Sequence, residues 1–352
     1  MPISEFAKNM FIRYFAALAG LVAVATTSAA QAPDFSAPVW STGYEYTAIT
    51  AVRVLSDGRV LLLDVGENRL QALTAAGKPL RDIGRIGAGP GEFRELRSLV
   101  ALRGDSTALV DVVLRRIQYL DGQLQFGATV PFPNIDGDGP GDLTLADARG
   151  HLLFKTFAHR ATAPSAALVR WAPRRDQVDT LGHLLHPLLT RPMKVGKNLA
   201  QYVIPYRPED GWGMTPDGQV VVVRASPYVV ESIASGRAPF RKALSAPAVA
   251  VTAGDRKGWA TVVQDSIPRT KPPFDPSGIV SGGDGSLWIP RHYPRDATLR
   301  QWDVVYPGTG RHVVRTLRST QDVRAVTAAG VYIVTSGPDD LQRLEFHRHG
   351  SR

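Results

Sequence analysis

Short apolar runs follow tight, glycine-containing turns at six places along the chain. The turns are Asp57-Gly58, Gly104-Asp105, Arg149-Gly150, Asp217-Gly218, Asp284-Gly285 and Ala329-Gly330. The runs that follow them are Val60–Leu63, Ala108–Val110, Leu152–Phe154, Val220–Val223, Leu287–Ile289 and Val331–Val334. Uninterrupted apolar runs of this length are typical of β-strands buried on both faces. An Asp-Gly pair between such runs predicts a type I′ hairpin, because both residues tolerate positive φ.

Two of these copies align without a gap. The segment Val60–Leu73 matches Thr107–Leu120, which places Asp64 on Asp111, Arg69 on Arg116 and Gln71 on Gln118. An internal repeat of this kind indicates that one small structural unit recurs, and such units bury their apolar faces by stacking on one another.

Six small sheets with two apolar faces each predict a six-bladed β-propeller, all-β, with four antiparallel strands per blade around a central channel. Ring closure is expected from a strand around Pro38–Trp40, added to the last blade next to the strand at Leu341–Phe346. Residues 31–349 are then a single domain, with insertions in blades three and four. The alternatives are a β-sandwich or two smaller β domains.

Residues 1–30 have the pattern of a secretory signal peptide. Lys8 and Arg13 flank the apolar run Phe15–Ala25, and Ser28-Ala29-Ala30 offers small residues for cleavage. The alternative is a retained N-terminal anchor. The chain has no cysteine, which excludes disulfides and thiolate chemistry and, with the leader, favours a periplasmic or secreted monomer without stable membrane insertion after cleavage.

The net charge of +9 does not by itself indicate a nucleic-acid partner. Basic residues stand singly or in pairs, such as Arg115-Arg116 and Arg174-Arg175, without a basic run or interleaved aromatic residues. Attraction to an anionic ligand or surface is compatible with this charge.

The sequence resembles the NHL/TolB-like six-bladed propellers, and within them a bacterial exported family. The segments that carry the resemblance are Ser56–Asp64 with Arg69–Gln71, Gly87–Phe93, Lys271–Phe274, Gly283–Ile289 and Pro338–Leu341. The resemblance covers the whole chain after the leader and implies the propeller fold. It does not imply one function, since propellers include lyases, hydrolases, receptors and scaffolds.

The glycine-rich stretch Gly87–Phe93 invites comparison with a phosphate-binding loop. A P-loop requires Lys and then Ser or Thr after its last glycine, whereas Glu92 and Phe93 follow here. The stretch is predicted to cross from the rim to the channel between blades one and two, with Phe93 packed between them. The alternative is that Glu92 contacts a ligand.

The pairs Asp64 with Arg69 and Asp111 with Arg116 recur at one spacing. We expect them to be structural: a carboxylate that ends one strand bonds the following turn or the Arg that opens the next strand. A repeated pair is a poor candidate for unique chemistry, although an active-site role is the alternative interpretation.

The position of Asp64 is taken by other residues in later copies. Six residues after the turn glycine stand Arg224 and Arg291, and in blade three Lys155 lies beside the equivalent position. His159 and His292 are close by in sequence. If these strand ends surround the channel mouth, they predict a positive side that binds a carboxylate, phosphate or acidic peptide. Solvated rim charges are the alternative.

One loop partly matches a calcium-binding pattern. Asn134, Asp136, Asp138 and Asp142 stand at ligand positions, but Leu145 replaces the bidentate Glu. A tight turn between blades is therefore favoured over a calcium site. No other cofactor is predicted.

The eight histidines share no repeat position, and no nucleophile elbow or zinc-protease motif occurs. The sequence thus favours an exported binding module for an unidentified small molecule, peptide or protein. The alternative is a channel-sited, metal-assisted hydrolase or lyase. Convergent histidine and carboxylate side chains in the channel would favour the enzyme.

Overall fold

A computed structural model describes residues 33–35, 37–133, 135, 140–156, 165–186, 191–195, 198–202, 204–233 and 239–349. The N-terminal strand β1 is Trp40–Ser41. Blade one consists of β2 Ile49–Val54, β3 Val60–Asp64, β4 Arg69–Leu73 and β5 Pro79–Asp82. The linker strands are β6 Arg85–Ile86 and β7 Glu92–Phe93. Blade two consists of β8 Leu96–Ala101, β9 Thr107–Asp111, β10 Arg116–Leu120 and β11 Phe126–Pro131, with a 3-10 turn at Arg103–Asp105.

Blade three consists of β12 Pro140–Ala146, β13 Leu152–Thr156, β14 Ser165–Ala172 and β15 Gln177–Leu185, and the strands β16 Arg191–Val195 and β17 Asn198–Tyr202 follow it. Blade four consists of β18 Gly211–Met214, β19 Val220–Ala225, β20 Tyr228–Ile233 and β21 Arg241–Ala243. The next connection contains β22 Val249–Ala250, α1 Ala253–Arg256, α2 Thr261–Gln264, β23 Thr270–Lys271 and a 3-10 turn at Pro276–Gly278.

Blade five consists of β24 Val280–Ser281, β25 Leu287–Pro290, β26 Leu299–Tyr306 and β27 Arg311–Arg318. Blade six consists of β28 Gln321–Val326, β29 Gly330–Ser336 and β30 Gln342–Arg348, and β1 supplies its fourth strand. The described chain therefore forms six four-stranded antiparallel blades in a ring, and the predicted six-bladed propeller is confirmed. No helix in the described part of the chain is long and apolar enough to cross a membrane.

The ring closes as the sequence predicts. Trp40 lies opposite Phe346 in the β1–β30 pair, and its ring packs against Tyr332 as well. The amide oxygen of Gln342 accepts a hydrogen bond of 2.7 Å from the backbone of Ile49, where blade one begins. Strand β1 thus joins the two ends of the ring through main-chain pairing and aromatic packing.

Each blade packs on both of its faces. In β3, Leu61 and Leu63 pack with the residues of blade two, while Val60 and Leu62 pack with blade six. All four side chains are fully buried. Because burial of a Val or Leu side chain stabilises the fold by about 1.5–3 kcal/mol, such two-sided strands explain why one blade requires its neighbours.

Four of the six hairpin turns differ from the type I′ prediction, whereas Gly104 and Asp105 both have positive φ. Positive φ occurs at Gly58, Gly150, Gly218 and Gly285, but the residue before each of these glycines is not left-handed. At the first turn the carboxylate of Asp57 instead accepts the N–H of Arg59 at 3.0 Å. This local hydrogen bond favours the right-handed conformation of Asp57, so only the glycine needs positive φ.

The strand register defines the two faces of the ring. Ile49 at the start of β2 pairs with Asp64 at the end of β3, so connections between blades and the turns after second strands share one face. We call it the loop-rich face. The predicted insertions lie in the connections after blades three and four, where Ile204 packs against Val263 and Ile267.

Candidate binding site in the central channel

The inner strands of all six blades line a channel cavity of about 1720 Å³. Its walls include Thr50–Val54 of β2, Ser98 and Leu99 of β8, Leu145 of β12, Gly211 and Trp212 of β18, Val280 and Ser281 of β24, and Val323–Val326 of β28. On the loop-rich face, the connections after blades three and four add Ile204–Arg207 and Trp259 to the lining. The channel mouth on that face is therefore shaped by two segments that do not repeat.

Three charged or titratable side chains converge in this lining between blades three and four. Glu209, just before β18, accepts from Lys155 Nζ at 2.7 Å and contacts His186 Nδ1 at 2.6 Å through the same carboxylate oxygen. All three side chains are largely buried. Burial alone would raise the pKa of Glu209, but the hydrogen bond from His186 and the charge of Lys155 hold it below its ordinary value.

The side chains of two arginines of the lining, Arg207 and Arg115, make no hydrogen bond or ion pair with any described residue. The Nε atom of Arg207 is buried and makes no hydrogen bond, and no carboxylate in the described part of the chain pairs with its guanidinium. Arg115 lies in the turn after the second strand of blade two, with φ of 49°, and is likewise unpaired among the described residues. Within the described ranges, no side chain therefore competes with an anion for these two cations.

The other cations of the lining are engaged. Arg53 donates to the carbonyl oxygens of Leu102 and Ser106, and Arg97 pairs with Glu95. Arg324 donates to the carboxylate of Asp322 and to the carbonyl oxygen of Ile49. Hydrogen bonds and ion pairs within the protein thus engage these three side chains, unlike Arg207 and Arg115 among the described residues.

His292 lies where the channel meets a side pocket of about 290 Å³ between blades five and six. Its ring meets the edge of Tyr206, with 5.9 Å between the centroids. Burial lowers the pKa of the imidazole despite the opposing effect of the Asp275 carboxylate. The structure therefore places this predicted residue at the channel mouth, with its neutral form favoured.

Arg224 and Arg291, also predicted for the mouth, do not line the channel cavity. Arg224 pairs with Asp210 at 2.8 Å and with Glu231 at 2.9 Å. Arg291 makes two bonds of 2.7 Å to Asp303, which is completely buried, and borders only the side pocket. Lys155 does line the channel, held by Glu209.

The charged residues of the repeat act as fasteners, which means that their side chains bond neighbouring segments of a blade to one another. The carboxylate of Asp64 accepts from the backbone of Thr47, Ala48 and Gly66, whereas Arg69 pairs with Asp82 at 3.0 Å. The sequence left two partners open for the Asp64 carboxylate, the following turn and Arg69; the carboxylate bonds the turn.

Blade two repeats the arrangement. Asp111 accepts from the backbone of Arg94 and Leu114, and Arg116 donates to the carbonyl oxygens of Gly89 and Glu92. Both members of this pair therefore bond main-chain atoms.

The Gly87–Phe93 stretch is closed by its own side chains. Glu92 accepts from the backbone of Gly89 at 2.8 Å and from Arg85 at 2.8 Å, and it does not line the channel. These bonds hold the pKa of Glu92 below its ordinary value. Phe93 is buried with residues of blades one and two. The stretch has the contacts of a linker.

Several predicted residues lie outside this description. His159, Asn134, Asp136 and Asp138 are outside the described residues, and of Asp142 only the backbone in β12 is described. Among the residues the structure describes, no group of three His, Cys, Asp or Glu side chains suits a metal ion. The calcium site therefore stays a prediction.

Sequence reasoning missed Arg115, His186, Arg207 and Glu209. One signal existed for Arg115: the gapless alignment places it on Asn68, which also has positive φ, at 46°. Asn is common in this conformation and Arg is not, so Arg115 departs from the residue type that such a turn favours. No repeat position marks Arg207 or Glu209, because both lie in a connection specific to blade four.

No protein-family model and no curated protein matches this sequence. Solved structures that are similar include that of an exported protein from Bacteroides fragilis, with 12% identity, a TM-score of 0.54, and coverage of 87% of this chain and 91% of that one. A DUF4221 family member from Bacteroides vulgatus shows 7% identity, a TM-score of 0.55 and coverage of 90% and 97%. A catalytically inactive virginiamycin B lyase from Staphylococcus aureus shows 10% identity, a TM-score of 0.48 and coverage of 88% and 98%. At these identities the similarity concerns the fold: the chain is a six-bladed β-propeller.

Proposed function

We propose that this protein is an exported binding module, and that its ligand is a small anion held at the loop-rich mouth of the channel by Arg207 and Arg115. The observation that carries the proposal is the set of charges in the lining. Glu209 and Asp210 are each bonded to cations of the chain, whereas Arg207 and Arg115 have no acidic partner among the described residues.

The buried Nε atom of Arg207 does not itself indicate a ligand, because the Nε atoms of Arg53, Arg116 and Arg300 also lack an acceptor. A carboxylate or phosphate in the cavity would form charge-assisted hydrogen bonds with the terminal nitrogens of the Arg207 guanidinium, which have no partner among the described residues. The cavity of about 1720 Å³ exceeds the usual range of about 300–1,000 Å³ for small-molecule pockets, so a small anion occupies only part of it.

The remaining parts of the proposal rest on the sequence. The pattern of residues 1–30 supports export to the periplasm or exterior, and the motifs that resemble NHL/TolB-like propellers support membership of that group. The protein is proposed to act as a monomer.

The test uses tricarballylate, a tricarboxylate without a hydroxyl group, in isothermal titration calorimetry with the purified protein. Arg207→Gln is expected to weaken binding by about tenfold or more, since a hydrogen bond to a charged group contributes roughly 1.5–3 kcal/mol. Arg175→Gln is the matched control: it removes the same charge from an exposed turn on the opposite face, and its binding should equal that of the wild type. Absence of tricarballylate binding, or equal losses in both variants, would contradict the proposal.

A second candidate function is a channel-sited hydrolase or lyase. It is favoured by the approach of His186 Nδ1 to Glu209 within 2.6 Å in the channel lining, an arrangement that orients a histidine as a proton acceptor. Turnover of a panel of esters and lactones that is lost in His186→Phe would support this function. Turnover that persists in that variant would contradict it.

A further inference from the structure

We propose that the anion bound in the channel carries a hydroxyl group, and that this hydroxyl donates a hydrogen bond to Nε2 of His186. The ligand class is then a hydroxy acid, such as a hydroxycarboxylate or a sugar acid. The inference deepens the proposed function and rests on it, since Arg207 supplies the seat for the acid group.

The hydrogen bond to Glu209 decides which nitrogen of neutral His186 carries the proton. The pKa of Glu209 lies below its ordinary value, so its carboxylate is ionised near neutral pH and can only accept hydrogen bonds. The ring nitrogen 2.6 Å away, Nδ1, must therefore donate. In the neutral ring this fixes the tautomer and leaves the lone pair on Nε2.

The lone pair on Nε2 is available to a molecule in the channel. His186 borders the channel cavity, and its Nε2 has no hydrogen-bond partner within the described ranges. Its other nitrogen is occupied, so Nε2 is the ring nitrogen available to a molecule in the channel. An acceptor of this kind selects a donor, and a hydroxyl is an uncharged donor that an acid can carry next to its carboxylate.

The charges around His186 permit an anion to approach it. Lys155 bonds the same oxygen of Glu209 that His186 contacts, and its charge offsets that of the carboxylate. An anion near His186 therefore meets little net repulsion from Glu209. Arg207 lies two residues before Glu209 in the same connection and borders the same cavity. One short segment thus presents a cation without a partner in the described ranges and positions an acceptor.

Trp212 and Trp259 also line the cavity, and Trp259 is 39% exposed. Indole rings offer an apolar surface for the carbon chain of such a ligand. The combination of a cation, an oriented acceptor and aromatic walls fits a polar acid better than a bare inorganic anion.

The experiment compares citrate with tricarballylate, which has the same three carboxylates and lacks only the hydroxyl. Titrations in metal-free buffer should show that the wild type binds citrate roughly fivefold more tightly, the contribution of one hydrogen bond. His186→Phe should reduce the ratio to about one, whatever its effect on the affinity for tricarballylate itself. Circular dichroism and the melting temperature check that the variant is folded.

Glu209→Leu separates positioning from simple packing. A leucine has a similar volume but offers no acceptor to Nδ1, so it no longer fixes the tautomer. The citrate preference should fall toward one, while removal of a negative charge beside Lys155 should strengthen the binding of both anions. A purely structural role of Glu209 would weaken both anions equally.

The outcomes distinguish the two proposals. A citrate-to-tricarballylate affinity ratio near one in the wild type would contradict the proposed hydroxyl contact with His186. An unchanged ratio in His186→Phe would contradict it as well. If tricarballylate binding still depended on Arg207, the anion site would remain supported. Failure of both anions to bind would overturn the anion site itself, and the hydroxyl seat with it.

Discussion

Blades one and two differ from blades four and five at a residue near the end of the second strand. In the first two blades this residue is Asp64 or Asp111, and each carboxylate accepts N–H groups from the segment entering the blade and from the next turn. The later blades carry Arg224 and Arg291 instead. There the carboxylate moves to another element: Asp210 precedes β18, and Asp303 lies in β26.

The difference shows that neighbouring segments of a blade can be held together by either of two electrostatic arrangements. A carboxylate satisfied by backbone N–H groups and an ion pair of reversed polarity both fasten neighbouring segments of a blade. The basic residues at this position therefore do not mark a binding surface by themselves. Two cations of the channel lining that have no partner among the described residues lie in a segment without a repeat equivalent, Arg207, or in one with an altered equivalent, Arg115.

The largest effect is expected where the fastener is most buried. Asp303 is completely buried and bonds Arg291, His312 and Tyr228 at 2.7 Å each. Asp303→Asn leaves the buried guanidinium of Arg291 without a counter-charge, which should lower the free energy of unfolding by about 3–5 kcal/mol. Urea denaturation followed by circular dichroism measures this loss.

The matched control is Asp179→Asn, which breaks the ion pair of Asp179 with Arg170 on the surface of blade three. Both side chains are substantially exposed, so the expected cost is below about 1 kcal/mol. Equal costs for the two substitutions would show that burial of the ion pair does not distinguish the later blades.

An acid titration tests an ion-pair fastener in blade six. Burial favours protonation of Glu345, but the hydrogen bond from His347, with a further contribution from Arg343, lowers its pKa from 4.5 to about 2. Because the folded pKa lies below the unfolded one, the stabilisation is complete above pH 4.5 and is lost as pH falls toward 2. The contribution at neutral pH is roughly 3 kcal/mol.

The measurement is the difference in unfolding free energy between the wild type and Glu345→Gln as a function of pH. This difference should be largest near pH 6 and should shrink continuously between about pH 4.5 and pH 2. A difference that does not change over this range would mean that Glu345 is not held ionised by its neighbours.

The sequence was sufficient to predict the blades and the closure of the ring. Runs such as Val60–Leu63 require apolar neighbours on both faces, and that requirement is local and visible in the pattern. The site was less predictable because it depends on partners far apart in the chain. The pairing of Arg291 is decided by Asp303, and the orientation of His186 is decided by Glu209. None of these pairs has a repeated spacing.

The smallest expected effect concerns the backbone-bonded fastener of blade one. The two oxygens of Asp64 accept four hydrogen bonds, from the N–H groups of Thr47, Ala48 and Gly66 and the hydroxyl of Thr47. Asp64→Asn replaces one oxygen by an NH2 group that faces N–H donors, so at least one bond is lost. The free energy of unfolding should fall by about 1–2 kcal/mol in urea denaturation.

Arg69→Gln is the control for this substitution, because Arg69 lies opposite Asp64 in the register but bonds the exposed Asp82 instead. Its cost should stay below about 1 kcal/mol, as for other exposed ion pairs. If Arg69→Gln destabilised the protein as much as Asp64→Asn, the two would act as an ion pair, and blade one would be fastened in the same way as blades four and five. If only Asp64→Asn is costly, backbone N–H groups replace the arginine as the partner of the carboxylate.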